Sequence, residues 1–342
     1  MIIIYNKELT NFKEITHALS IQMEEYYNDI GKATLTLPID EYNISAVENG
    51  GVIYDTVRDM SFVIRNHKYD TSRNTITVNA YTCNRILNKR AIIQKNNITN
   101  IEDGVRAVIS GNLRELQNVD LGKPNGFTDT TETMLYGGQV LDEIIPILET
   151  AKIGNRMRWD ADRRVHVFEL YKGRDLTEGI HAVVFSEEYK TAKDLVVAND
   201  DSVFKNVIYV PGTLKDSAET EIIEKVGTAT GDDRFEKWLD RSYKQDNGET
   251  EAQFRERLKQ AGLEEMASLV SRHTFSVSID TKEYGTTYKL GDIVSCVSQR
   301  FGVELKSRIT SVKYTLDTNG EKINLILGEP ILTALGEVKL IG

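Results

Sequence analysis

Five histidines, His17, His67, His166, His181 and His273, are the residues of this chain best suited to proton transfer or metal binding. Their spacing supplies neither. None belongs to an HExxH or HxxxH pair and none stands beside a cysteine, so a zinc site has no local source. His166 falls in an alternating segment, where a solvent-facing or hydrogen-bonded position is expected. Cys83 and Cys296 lie far apart without a CxxC and are expected to be reduced and buried. A serine nucleophile at a strand-to-helix turn would carry G-x-S-x-G, which is absent. "GTATGDD" lacks the GK[ST] ending of a phosphate loop and reads as an exposed loop. Four pairs of adjacent acids, Glu187 with Glu188, Asp200 with Asp201, Asp232 with Asp233 and Glu264 with Glu265, could be proposed for glycoside cleavage. Neighbours on a strand point to opposite faces, so solvated charge is the expectation. The expected catalytic, cofactor-binding and metal residues are therefore none.

One basic cluster remains. In "NRMRWDADRR", Arg156, Arg158, Arg163 and Arg164 surround Trp159, a set that could stack on and neutralise a polyanion. Asp160 and Asp162 interrupt it, and a hairpin of mixed charge is expected. The whole chain has a net charge of -10 and a pI near 5.2, which disfavours binding to phosphate backbones through counterion release.

The elements that would carry these residues are mostly strands. A chain of 342 residues exceeds the size of one hydrophobic core, and two to four domains are expected. From Ile2 to Tyr81 the apolar residues alternate; in "GKATLTLP", Ala33, Leu35 and Leu37 point to one face. "NDIG", "ENGG" and "DTSRN" supply the turns, and "YTCNRILNKR" reads as one short helix closing the unit. "NIEDGVRAVISGNL" predicts a helix capped by Asn100. "GGQVLDEIIPILETAKIG" predicts a second one, disturbed at Pro146 and ended by Gly154. A hairpin follows with its turn at 160–163. The segment 249–271 predicts an amphipathic helix with Phe254, Leu258 and Leu263 on or near one side. After His273 alternation returns, with "DTNG" as the clearest hairpin turn. The expected division is 1–95 as a first β-barrel domain, with a returning segment near 195–212 that could complete it, 96–178 as an α+β domain, 179–272 as a mixed domain and 273–342 as a second β-barrel domain. No apolar run is long enough to span a membrane, and no secretory signal is seen.

Several stretches in order, "GKATLTLPIDEYN", "VENGGVIYD", "FVIRNHKYD" to "NAYTCNRILNKR", "GNRMRWDADRRVHVFELYKGRDLT", "FKNVIYVPG" and "YKLGDIVSC" to "KINLILGEP", span nearly the whole chain. This ordered set resembles the tail-hub or tail-associated proteins of long-tailed bacteriophages and prophages of Gram-positive hosts. The resemblance implies a non-enzymatic, baseplate-hub-like scaffold of α+β, β-rich class, with two β-barrel domains bracketing small α+β domains. It implies a homotrimer whose six barrels match a six-fold tail tube, with the distal tail protein, the tape-measure protein and tail-tip or receptor-binding proteins as partners. DNA would pass through without specific binding, no cofactor is implied, and the place of work would be the virion tail tip after assembly in the host cytoplasm. Because the given sequence stops at Gly342, wall digestion is expected of another protein. Two alternatives stay open from the residues: a virion-associated cell-wall-degrading enzyme, or an OB-like nucleic-acid or carbohydrate binder.

Overall fold

The computed structural model describes residues 1–215, 218–239, 243–269, 272–279, 283–300 and 303–330. They form two compact units, one made of Met1–Val196 with the chain from Phe275 onward and one made of Val197–Thr274. The protein is β-rich with few helices.

In the first unit the alternating segments become strands for the reason their pattern gives. The Lys32–Pro38 strand buries Ala33, Leu35 and Leu37 and turns Thr34 and Thr36 to a half-buried face. Positive φ occurs in three of the four expected turns, at Gly50, Asn74 and Gly320, while "NDIG" turns without it. From Ser20–Tyr26 the sheet runs through Lys32–Pro38, Thr75–Thr82, Met60–Asp70, Val52–Asp55 and Ile2–Tyr5 to an edge at Phe12–Ile15.

The other side of Ser20–Tyr26 decides the architecture. There the Val303–Asp317 strand pairs antiparallel, with Leu316 opposite Ile21, Tyr314 opposite Met23 and Ser311 opposite Tyr26. Met23 and Tyr314 are both buried, and their pairing gives Ser20–Tyr26 the hydrogen-bonding partner an edge strand lacks. The N-terminal and C-terminal β-segments, expected as separate barrels, thus share one thirteen-stranded sheet. Val303–Asp317 turns at "DTNG" into Gly320–Pro330, with Asp317 opposite Gly320 and the Asn319 N–H held by the Asp317 carboxylate at 2.7 Å. Beyond lie Arg272–Ile279 and Lys193–Asp200. Among the described residues this path stays open and no barrel closes.

The segment near 195–212 divides. Lys193–Asp200 joins the large sheet, but Val207–Thr213 does not complete the first β-segment. It is the central strand of a four-stranded sheet in the second unit, beside Glu221–Val226, Glu236–Trp238 and Tyr243–Lys244. One apolar face of this strand, Ile208 and Val210, packs locally against Phe254 and Leu258 of the Glu251–Ser268 helix.

That helix begins at a capping box, in which the Thr250 hydroxyl accepts from the Gln253 N–H and the Gln253 side chain accepts from the Thr250 N–H. Phe254 and Leu258 are buried, but Leu263 is 45% exposed, against expectation. Nine residues at about 100° each place Leu263 half a turn away from Phe254. The face is completed by Gly262, whose missing Cβ makes room for Val226 and Val210. The last two residues of the expected 249–271 helix, and the tail 331–342 of the expected 273–342 segment, lie outside the described residues.

Between the β-segments, Cys83–Lys89 is a 3-10 helix and Ile101–Asn112 an α-helix whose Asn100 cap accepts from the Asp103 N–H at 2.9 Å. The Val140–Thr150 helix contains Pro146 and ends before Gly154, which instead opens the Gly154–Asp160 strand. That strand pairs with Val165–Tyr171, and Val119–Leu121 adds a third, parallel strand. These elements share one core with the N-terminal sheet, since Ile3 and Val52 cluster with Val105, Leu141 and Phe168.

Candidate functional site

The residues singled out for chemistry are not brought together. His17 and His181 are exposed, and the side chain of His273 is not among those described. His67 is half-buried, with Nδ1 at 3.2 Å from the Asn49 side-chain oxygen. His166 departs from expectation in both respects: it is 4% exposed and its Nδ1 has no hydrogen-bond partner. Burial, aided by the nearby Lys89 charge, pushes its pKa down to about 3, so the ring is neutral at ordinary pH. Cys83 and Cys296 are free and buried, and burial holds both thiols up at about 12. Among the described residues no three His, Cys, Asp or Glu side chains gather as a metal site would require.

The acid pairs also separate by geometry. Glu188 is tied to the Ser186 hydroxyl and the Gln299 N–H, while the Glu187 carboxylate approaches the Leu195 N–H at 3.4 Å. Glu265 pairs with Lys237, and Asp201, Asp232 and Asp233 are exposed. In the arginine cluster, Arg156 pairs with Glu169 at 2.7 Å, Arg163 with Asp120 and Asp160 at 2.8 Å each, and Arg164 donates to the Leu9 and Thr10 carbonyls. Trp159 is 3% exposed and packs against Tyr5 and His166, so it offers no stacking surface. The cluster is a mixed-charge hairpin.

Two features that the sequence did not announce organise the first unit. The first is a joint at Tyr27. Its backbone N–H donates to the Thr310 carbonyl at 2.9 Å and its carbonyl accepts from the Asn155 N–H at 3.0 Å. Its hydroxyl donates to the carbonyls of Lys152 and Tyr171 at 2.9 and 3.2 Å. The Arg308 guanidinium lies over the ring, 4.9 Å from its centre, and the Tyr171 ring meets its edge at 5.2 Å. Burial raises the Tyr27 hydroxyl pKa, which keeps the proton available for donation. A Cβ on Gly154 or Gly291 would come within 2.3 or 2.6 Å of this ring, so both glycines are needed for close approach. A second contact fixes the same region. The buried Asp292 carboxylate accepts from the Arg174 N–H at 2.8 Å, the Arg174 guanidinium at 2.7 Å and the Lys289 N–H at 3.1 Å.

The second feature is a cleft of about 430 Å³ lined by Glu25, Arg58, Arg156, Arg158, Tyr284 and Glu321, among others. Arg58 spans it, paired with Asp55 at 2.8 Å and Glu321 at 3.1 Å and stacked over the Tyr314 ring. Burial pushes the Glu25 carboxyl up to about 7; Arg156 opposes the shift, and Asp59 and Asp55 add to it. Folding therefore favours protonated Glu25, a contribution complete below pH about 4.5 and lost as pH rises through about 7. Glu25→Gln, neutral throughout, should be more stable than the native chain by roughly 1–3 kcal/mol above pH 7, with the difference vanishing below pH 4.5. Urea unfolding of both chains across this range checks it.

The fold over the full length is one found in phage tail proteins. The tail protein from Neisseria meningitidis MC58 superposes with a TM-score of 0.61 at 10% identity, over 96% of this chain and 96% of its own. The 43 kDa tail protein of prophage MuSo2 from Shewanella oneidensis gives 0.61 at 9% identity, over 95% and 97%. Prophage tail protein gp18 from Listeria monocytogenes EGD-e gives 0.52 at 15% identity, over 95% and 94%. The fold these tail proteins share is the class to which this architecture belongs. Residues 1–329 match the model of one family, and the chain belongs to it: the Siphovirus ReqiPepy6 Gp37-like proteins. No curated protein matches the chain. No helix among the described residues is long and apolar enough to cross a membrane.

Proposed function

We propose that this protein is a structural component of the virion tail tip, a baseplate hub whose three copies form a ring that joins the tail tube to the tip complex and lines the DNA exit path. The observation that carries the reading is the family match over 1–329, joined to a tail-protein fold that covers both partners of the comparison almost completely. In the ring, 1–95 and 273–342 would be the two tube-forming β-segments of each copy, with 96–178 and 179–272 outside them. The open sheet path supports this, because among the described residues its end strands, Phe12–Ile15 and Lys193–Asp200, pair on one side only and leave backbone groups for neighbouring copies to pair or cover. The acidic balance supports a DNA path as well, since each added Lys or Arg contact would hold the duplex.

The partners in this reading are the distal tail protein, the tape-measure protein and the tail-tip or receptor-binding proteins of the same virion. Co-expression with the distal tail protein should yield a complex that survives size exclusion; loss of all association would count against the docking. The enzyme alternative is tested by a zymogram on Gram-positive cell walls, where this chain alone should produce no clearing.

A further inference from the structure

The second unit covers one face of its four-stranded sheet with the Glu251–Ser268 helix. Phe254 and Leu258 sit where a Cβ on Gly212 would lie, and Lys237 on the same face pairs with Glu265 of the helix at 2.6 Å. Directly opposed residues of paired strands share a face. Tyr209, Lys225 and Trp238 therefore form one row on the opposite face, and Pro211 with Ile223 forms the next. Trp238 and Ile223 are each 53% exposed. Beside the indole, Arg234 bonds to the Tyr209 hydroxyl and to Glu236, and the Tyr209 hydroxyl donates to Glu236 at 3.3 Å.

We propose that this helix-free face binds a neutral oligosaccharide, with Trp238 as the platform for a sugar ring and the Arg234, Glu236 and Tyr209 set as its hydrogen-bonding border. An indole beside Pro211 and Ile223 presents apolar surface to the C–H face of a pyranose. Sugar hydroxyls are donors and acceptors at once, and the adjoining set offers both in fixed positions. Four apolar side chains make a patch matched to one or two sugar rings, smaller than the apolar core of an obligate protein interface. Polyanions are disfavoured by charge: residues 197–274 carry sixteen acidic against eleven basic side chains. The site stands on the second unit alone and does not depend on ring assembly.

The chain has two tryptophans, and Trp159 is buried, so a sugar-dependent change in emission reports the exposed Trp238 over a constant Trp159 background. The full native chain titrated with chitohexaose, cellohexaose and maltohexaose should show a saturable blue shift with at least one of them. Trp238→Ala should remove the shift and weaken calorimetric binding at least tenfold while circular dichroism and thermal unfolding stay unchanged, and Trp238→Phe should keep part of the affinity. No response to any of the three sugars overturns the assignment. So does a shift that follows protein concentration without sugar, which would make the face a contact between copies, or one produced by heparin alone.

Discussion

Tyr27→Ala should cost about 3–5 kcal/mol of stability, the range for deleting a large buried aromatic side chain. The loss should not stay local. Tyr27 joins the N-terminal sheet to the Val303–Asp317 strand through Thr310, to the 154–171 hairpin through Asn155 and Tyr171, and to Lys152 just before it. Hydrogen exchange should show protection falling in all three segments together. Tyr27→Phe keeps the ring and its contact with Arg308 but leaves the Lys152 and Tyr171 carbonyls without their donor, a loss of about 1–3 kcal/mol. Local fraying confined to residues near 27, with the C-terminal hairpin unaffected, would show that the joint does not couple the segments.

Asp292→Ala should cost about 1–3 kcal/mol, because it leaves the Arg174 and Lys289 backbone N–H groups without their acceptor, while the Arg174 side chain, 51% exposed, stays solvated. Two backbone N–H groups and the Arg174 guanidinium all rely on this carboxylate. Asp292→Asn retains acceptor oxygen at one position and should recover part of the loss. The setting tolerates little adjustment, since a Cβ on Gly173 would lie 1.8 Å from the Gly291 carbonyl oxygen. Denaturant midpoints of the two variants, read with the unfolding slope to confirm a single transition, decide the order. Equal stability of native and Asp292→Ala chains would mean that the chain segments are held by sheet pairing alone.

Local signals in the sequence were read correctly where local physics determines them. Alternation placed Ala33, Leu35 and Leu37 in the core, the Asn100 cap started its helix, and "DTNG" closed its hairpin at Asp317 and Gly320. What failed was non-local. The pairing of residues 21–26 with 311–316 leaves no mark in either strand, because a strand that pairs on two sides has the same alternation whichever strand is its neighbour. Separate β-segments were therefore expected where the structure has one sheet. Leu263 is apolar and close to helical spacing, but half a turn from Phe254 it faces outward. Tyr27, Asp292 and Glu25 carry no motif, and their roles exist only once distant segments meet. The arginines around Trp159 were legible as a mixed-charge hairpin, since Asp160 and Asp162 stand among them in the chain itself.

A scaffold is the simplest reading of a sequence without a serine, metal or paired-acid signature, and the chain belongs to the Siphovirus ReqiPepy6 Gp37-like family. The trimeric ring is the finer claim. It is tested most directly by the mass of the purified full chain in solution by light scattering, with negative-stain images of the same sample alone and after addition of the distal tail protein. A three-copy species with an annular outline and an open centre is the predicted result. Monomers without annular particles in either condition would contradict it.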